Sequence, residues 1–121
     1  MYKVLVIEDE SMIRKGLIYS FNWTEMDCVV VGEAENGEEG LAKIFELMPD
    51  IVIADINMPI LNGIDMIERS IEKVNYSTII VSGYNEFEYA KKALKFGVSE
   101  YLLKPLDHKE MVSAIKNAIE Q

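Results

Sequence analysis

The chain has 121 residues, half of them hydrophobic, and a formal net charge of −9. That length suits one compact domain with a real core. The acid excess repels phosphate backbones and argues against direct nucleic-acid binding, and no apolar run is long enough to span a bilayer.

Met1-Tyr2-Lys3 leads straight into an apolar run and then acids, so the start reads as no signal peptide and the expected compartment is the cytoplasm. Short apolar runs with little alternation follow at Lys3–Ile7, Val29–Glu33, Ile51–Ala54, Thr78–Val81 and Glu100–Leu103. They read as strands buried on both faces. Helical spacing fills the gaps. Met12, Leu17, Ile18 and Phe21 make the first apolar face, and Leu41, Ile44, Phe45 and Met48 the second. Ile64, Ile67 and Ile71 make the third; Phe87, Ala90, Ala93 and Leu94 the fourth; Met111, Ala114, Ile115 and Ala118 the fifth. Asn36 reads as an N-cap, Met48-Pro49-Asp50 as the end of the second helix, Gly97 as the end of the fourth, and Asp107, with Glu110 three residues on, as the cap of the fifth. Strand and helix alternate throughout without repeat or linker, which predicts a single α/β domain over residues 1–121 with a parallel sheet covered on both faces.

Three residues invite chemistry and read more plainly as packing. Cys28, the only cysteine, has no internal disulfide partner and sits beside Val29-Val30-Val31 as a small apolar residue. Trp23, in the irregular stretch from Asn22 to Asp27, anchors a loop. His108, in the first turn of the fifth helix, is a surface residue.

The chemistry collects at the carboxyl ends of the strands, where open α/β sheets bind ligands. The first strand ends in Glu8-Asp9-Glu10, the third in Asp55 followed by Asn57 and Pro59, the fourth in Ser82-Gly83, the fifth in Lys104-Pro105. Each piece alone has a duller reading as a cap, a turn or a solvated lysine. Together they are a coherent set. Crowded carboxylates raise one another's pKa, and a hard divalent cation relieves that. A carboxylate is a competent nucleophile for an acyl phosphate, while a hydroxyl and an ammonium hold phosphoryl oxygens.

At these residues the chain resembles the receiver domains of two-component response regulators. Val6-Ile7-Glu8-Asp9-Glu10, Asp55-Ile56-Asn57-Met58-Pro59 with Gly63, Ser82-Gly83-Tyr84 and Tyr101-Leu102-Leu103-Lys104-Pro105 carry the resemblance across essentially the whole chain. The run Ser82 to Ala90, with the Trp23 loop, looks like the subgroup that precedes an AraC-type DNA-binding region. The resemblance implies a flavodoxin-like five-stranded parallel sheet of order 2-1-3-4-5. It implies that Asp55 takes a phosphoryl group from a sensor histidine kinase. Mg2+, with Mn2+ able to substitute, would be bound by Asp9, Asp55 and the Asn57 backbone carbonyl, and by Glu8 mostly through water. Ser82 and Lys104, with Asn57, would hold the phosphate, Ser82 and Tyr101 would form the switch, and Asn57 and Tyr84 would flank the attacking water. Pro105 would follow a cis peptide bond. The face made by the fourth helix, fifth strand and fifth helix would form a homodimer or meet an effector, with Lys91, Lys92, Lys95 and Lys104 near it and Asp107, Glu110 and Glu120 available to pair. The implied role is transcriptional signalling rather than conventional catalysis.

Two departures bear on that site: the first acid is Glu8 where many receivers have aspartate, and Ser82 stands where threonine is also common. Three rival readings fit less well. A haloacid-dehalogenase-type phosphohydrolase needs a second acid where Asn57 stands. A flavodoxin-like FMN carrier would not place Glu8-Asp9-Glu10 against a phosphate. A receiver-like module that never takes phosphate would not need Asp9, Asp55, Ser82 and Lys104 together.

Overall fold

A computed structural model describes residues 1–83, 86 and 97–120. The strands are β1 (Tyr2–Ile7), β2 (Cys28–Ala34), β3 (Ile51–Asp55), β4 (Ser77–Ser82) and β5 (Glu100–Leu103). The described helices are α1 (Ser11–Tyr19), α2 (Gly37–Leu47), α3 (Gly63–Ser70) and α4 (His108–Ile119), with a 3-10 turn at Thr24–Met26. α4 is thus the fifth of the expected helices. The expected fourth helix, with Phe87, Ala90, Lys91, Lys92, Ala93, Leu94 and Lys95, lies outside the described residues, as does Tyr84.

The five strands form one parallel sheet in the order β2-β1-β3-β4-β5. Order reverses at β1 and β3, which places their carboxyl ends side by side, the position where such sheets leave a crevice. All five residues of β3 are buried, because helices cover both faces of the sheet. On one face Leu5, Ile7, Val52, Ala54 and Ile80 pack with Ile44 of α2 and Ile64, Met66 and Ile67 of α3. On the other, Val4, Val6, Ile51, Ile53, Ile79 and Val81 pack with Leu17 of α1 and Met111, Ala114, Ile115 and Ala118 of α4. Alternate residues of one strand therefore serve two cores, the result of the period-2 geometry of a strand. Each large aliphatic side chain so buried is worth about 1.5–3 kcal/mol. Along β1 and β2 the register passes from Val4↔Val30 to Leu5↔Gly32 and skips Val31.

Local signals explain where the helices begin and end. The side chains of Asn36, Asn62 and Asp107 accept from the backbone N–H groups of Glu39, Asp65 and Lys109, each cap contributing about 1 kcal/mol. α2 stops at Met48, whose φ of 50° turns the chain into Pro49. Gly97 has a φ of 80°, as a turn glycine does. Trp23 is buried and donates from Nε1 to Ile18 O at 3.0 Å, so it is the loop anchor that the sequence suggests. Cys28 is buried and free. His108 is exposed, and its ring stacks on Phe21 with centroids 4.5 Å apart.

Two helical faces differ from expectation. Met12 is 90 % exposed, and α1 instead turns Ile13, Arg14 and Leu17 inward. Phe45 and Met48 are exposed, while Leu41, Ile44 and Leu47 contact the core. In both helices the apolar stripe is narrower than the hydrophobic residues available to it. Among the described residues no helix is long and apolar enough to cross a membrane.

Candidate functional site

β1 and β3 deliver the acids. Glu8 follows the last residue of β1; its N–H still donates to Ala34 O of β2 at 2.9 Å, which continues the ladder by one bond. The chain then turns into α1. Glu10 occupies the N-cap position of that helix without a side-chain capping bond, so the capping explanation for this acid does not hold. Its backbone N–H instead donates to Glu8 Oε2 at 3.1 Å. Carboxylate oxygens of Glu8, Asp9 and Glu10 come within 4.8 Å of one another.

Asp55 closes β3 and is 4 % exposed. The loop beyond it is held by Gly63, whose N–H donates to Ile56 O at 2.8 Å. A Cβ on Gly63 would lie 2.2 Å from Asp55 O, so only glycine permits this approach. Asn57 N donates weakly to Asp55 Oδ1 at 3.4 Å, and the Asn57 side chain is exposed. In the same loop Ile60 has a φ of 73°, an unfavourable conformation for a β-branched residue.

Lys104, just past β5, reaches across to both acids. Its Nζ lies 2.8 Å from Glu8 Oε1 and 3.1 Å from Asp55 Oδ2, with Glu10 Oε1 farther away at 3.6 Å. The Lys104–Pro105 peptide is cis, and Lys104 N donates to Ser82 O at 2.8 Å. Ser82, the last residue of β4, is fully buried, and its hydroxyl shares a short hydrogen bond with the Tyr101 hydroxyl. Tyr101 is half-buried and packs on the cluster that contains Ala54, Ile56 and Ile80. Ser82 is therefore engaged with the aromatic ring expected to move with it.

The electrostatics follow from burial. Loss of solvent pushes the Glu8 carboxyl up to about 7; the Lys104 ammonium and Glu10 N–H oppose the rise, while the Asp55 charge and a hydrogen bond with Asp9 assist it. Burial likewise raises Asp55, against the Lys104 charge, a hydrogen bond from Glu8 and the Asn57 N–H. Burial works to lower Lys104, but Glu8 and Asp55 outweigh it and hold the ammonium above its ordinary value. Among the described residues the half-buried Lys104 ammonium thus faces a surplus of carboxyl groups. Among the described residues the buried Glu8 Oε1 has no directed hydrogen bond, and the Lys104 ammonium lies 2.8 Å from it. An oxygen-rich, under-neutralised pocket of this kind suits a hard divalent cation.

The structure brings Glu8, Asp9, Asp55, Ser82, Tyr101 and Lys104 to one rim of the sheet, with Asn57 on the adjoining loop; Tyr84 lies outside the described residues. Sequence reasoning overlooked Arg14. It is 8 % exposed, donates from Nη1 to Glu8 O at 2.8 Å and from Nε to Glu33 Oε1 at 2.8 Å. A charged residue at a core-facing position of the α1 stripe was the available signal.

This fold and rim define a class, and comparison with known proteins agrees: residues 4–116 match the response regulator receiver domain. The chain belongs to that family and is the receiver domain of a two-component response regulator. It is 38 % identical over 120 residues to the transcriptional regulatory protein YesN of Bacillus subtilis, covering 98 % of this chain and 33 % of that protein. It is 38 % identical over 111 residues to the transcriptional regulatory protein HptR of Staphylococcus aureus, covering 92 % and 44 %. The chain thus spans less than half the length of these relatives. Among solved structures, the REC domain of the response regulator AraT from Geobacillus stearothermophilus superposes with a TM-score of 0.91 at 39 % identity, over 99 % of this chain and 96 % of that one. A two-component transcriptional regulator AraC from Clostridium phytofermentans gives 0.90 at 30 % identity, over 99 % and 94 %.

Proposed function

We propose that Asp55 is the phosphoacceptor of this receiver, taking its phosphoryl group from the phosphohistidine of a sensor histidine kinase. The observation that carries this is the position of Lys104 Nζ, within 2.8 Å of Glu8 and 3.1 Å of Asp55. An Asp55 carboxylate oxygen forms the new bond to phosphorus, and the phosphorus–nitrogen bond breaks with its electron pair returning to the imidazole. Lys104 exchanges its carboxylate partners for a phosphoryl oxygen. The Ser82 hydroxyl leaves Tyr101 to donate to another, and Tyr101 repacks. Asn57 and Tyr84 flank the path of the water that later hydrolyses the acyl phosphate.

Asp9, Asp55 and the Asn57 carbonyl would hold Mg2+ or Mn2+, with Glu8 acting mostly through water. When bound, such an ion neutralises charge on the phosphoryl oxygens.

Output is by population shift between two conformations. The remodelled surface comprises the expected fourth helix, β5 and α4, and it serves a homodimer or an effector region. A C-terminal DNA-binding region in the parent protein, with control of transcription, accords with the names of YesN, HptR and the AraC-type regulator. The domain signals in the cytoplasm, makes no nucleic-acid contact of its own, and has no turnover of free phosphomonoesters.

Intact-mass analysis after acetyl phosphate and Mg2+ tests the reading. One phosphoryl group should be added to the wild type, none in chelator, and none to Asp55→Asn. Labelling of Asp55→Asn would assign the chemistry to another residue.

A further inference from the structure

We propose that Arg14 is a positioning residue for the acidic turn, and that its two-pronged grip on Glu8 O and Glu33 raises the affinity of the pocket for a divalent cation. The inference rests on the phosphoacceptor reading only in taking Glu8 and Asp9 as part of the cation site.

Arg14 lies in α1 on the same inward side as Leu17. A guanidinium so placed is costly unless its donors are met. Nη1 donates to Glu8 O in a buried bond of 2.8 Å, and Nε to Glu33 Oε1 at 2.8 Å. The backbone N–H of Arg14 also donates to Glu10 O at 2.9 Å. The Glu8 carbonyl lies one step beyond the last ladder bond, so the sheet no longer orients it. That carbonyl shares a rigid peptide plane with the Asp9 nitrogen and Cα. Fixing it fixes the direction from which the Asp9 side chain departs, and with it the spacing of three mutually repelling carboxylates.

The second prong explains why arginine is used. Glu33 belongs to β2, and it also binds Lys15 Nζ at 3.0 and 3.2 Å. Arg14 therefore ties the acidic turn to a strand edge through a planar fork whose separate nitrogens serve two acceptors. A lysine head is one point charge on a flexible stem and holds both acceptors less well. Partners that orient ligands from behind commonly change metal affinity by about 10–100-fold when removed.

Mn2+ binding to the 121-residue chain, measured by calorimetry or by electron paramagnetic resonance, tests this alongside thermal unfolding of each variant in chelator. Arg14→Met should weaken Mn2+ binding by about tenfold. Arg14→Lys should recover only part of that loss, and Glu33→Gln should weaken binding in the same direction by less. Lys3→Met is the control: Lys3 Nζ donates to Leu47 O at 2.7 Å at the opposite end of the sheet, so this variant loses a comparable clasp and should keep wild-type affinity. Wild-type affinity in folded Arg14→Met overturns the inference, as does equal weakening in Lys3→Met. If Arg14→Met fails to fold, unchanged affinity in both Arg14→Lys and Glu33→Gln overturns it. A wild-type chain that takes phosphate on Asp55 yet binds no Mn2+ overturns the inference while leaving the phosphoacceptor assignment standing. Absence of both would remove the underlying reading as well.

Discussion

Replacing Glu8 by glutamine should stabilise the cation-free protein at pH 8 and abolish much of its sensitivity to pH. Glu8 is almost wholly buried, and its carboxyl is raised from 4.5 to about 7. Between those two values the folded protein keeps a proton that the unfolded chain has released. Raising the pH through this window therefore favours unfolding, the opposite of the usual effect of a salt-bridged acid. A rise of about 2.5 units corresponds to roughly 3 kcal/mol lost between pH 5 and pH 8. For a domain of this length that is about 12 °C in Tm. Asp55 is also raised and acts in the same direction. Lys104 is raised from 10.5; its stabilising contribution is complete throughout this window and is lost only at higher pH. Glu33 is lowered, chiefly by its hydrogen bonds to Arg14 and Lys15, so its contribution is lost only in acid below the window. The assay is thermal or urea unfolding in chelator at several pH values from 5 to 8, wild type against Glu8→Gln. The wild type should lose stability steadily and the variant much less. Equal slopes for the two proteins, or a wild type that gains stability with pH, would refute the argument.

Other outcomes follow from the same geometry. Lys104→Met leaves the buried Glu8 and Asp55 carboxyls without the half-buried cation between them and should cost about 3 kcal/mol at pH 8; urea titration at pH 5, where Glu8 holds its proton, should show a smaller loss. Gly63→Ala places a methyl 2.2 Å from Asp55 O, more than 1 Å inside ordinary contact, and should cost at least about 1–3 kcal/mol. It should also slow labelling of Asp55 by acetyl phosphate, read by intact mass. Tyr101→Phe deprives the buried Ser82 hydroxyl of its partner, and chemical denaturation should show a loss of about 1–3 kcal/mol while Asp55 remains the site of labelling.

Much of this fold can be read from the residues because the strands are buried on both faces. Runs such as Ile51–Ala54 leave little choice of element, and observed strand ends differ from expectation by a residue or so. The caps at Asn36 and Asp107 were equally visible, since their chemistry is local. Met12, Phe45 and Met48 were misplaced because an apolar side chain has no obligation to be inside. Asn62 was missed as a cap amid the loop after Asp55, and Arg14 because its partners lie six and nineteen residues away. The site residues were legible as a set at strand ends. What composition could not disclose is that Lys104 pairs directly with Glu8 as well as Asp55. That contact draws on the reach of a glutamate side chain from the end of β1.

The skipped Val31 carries a consequence for which side of the sheet β2 addresses. Cys28 and Val30 point toward the layer of α1 and α4, whereas Ala34 joins the layer of α2 and α3. Simple alternation would give all three even-numbered residues the same orientation. One surplus residue reverses the parity of everything after it. It is this reversal that turns Glu33 toward α1, where it meets Arg14 and Lys15. A β2 that kept Val31 but ran in unbroken alternation would present Glu33 to the opposite layer, and the guanidinium behind the acidic turn would lose its anchor.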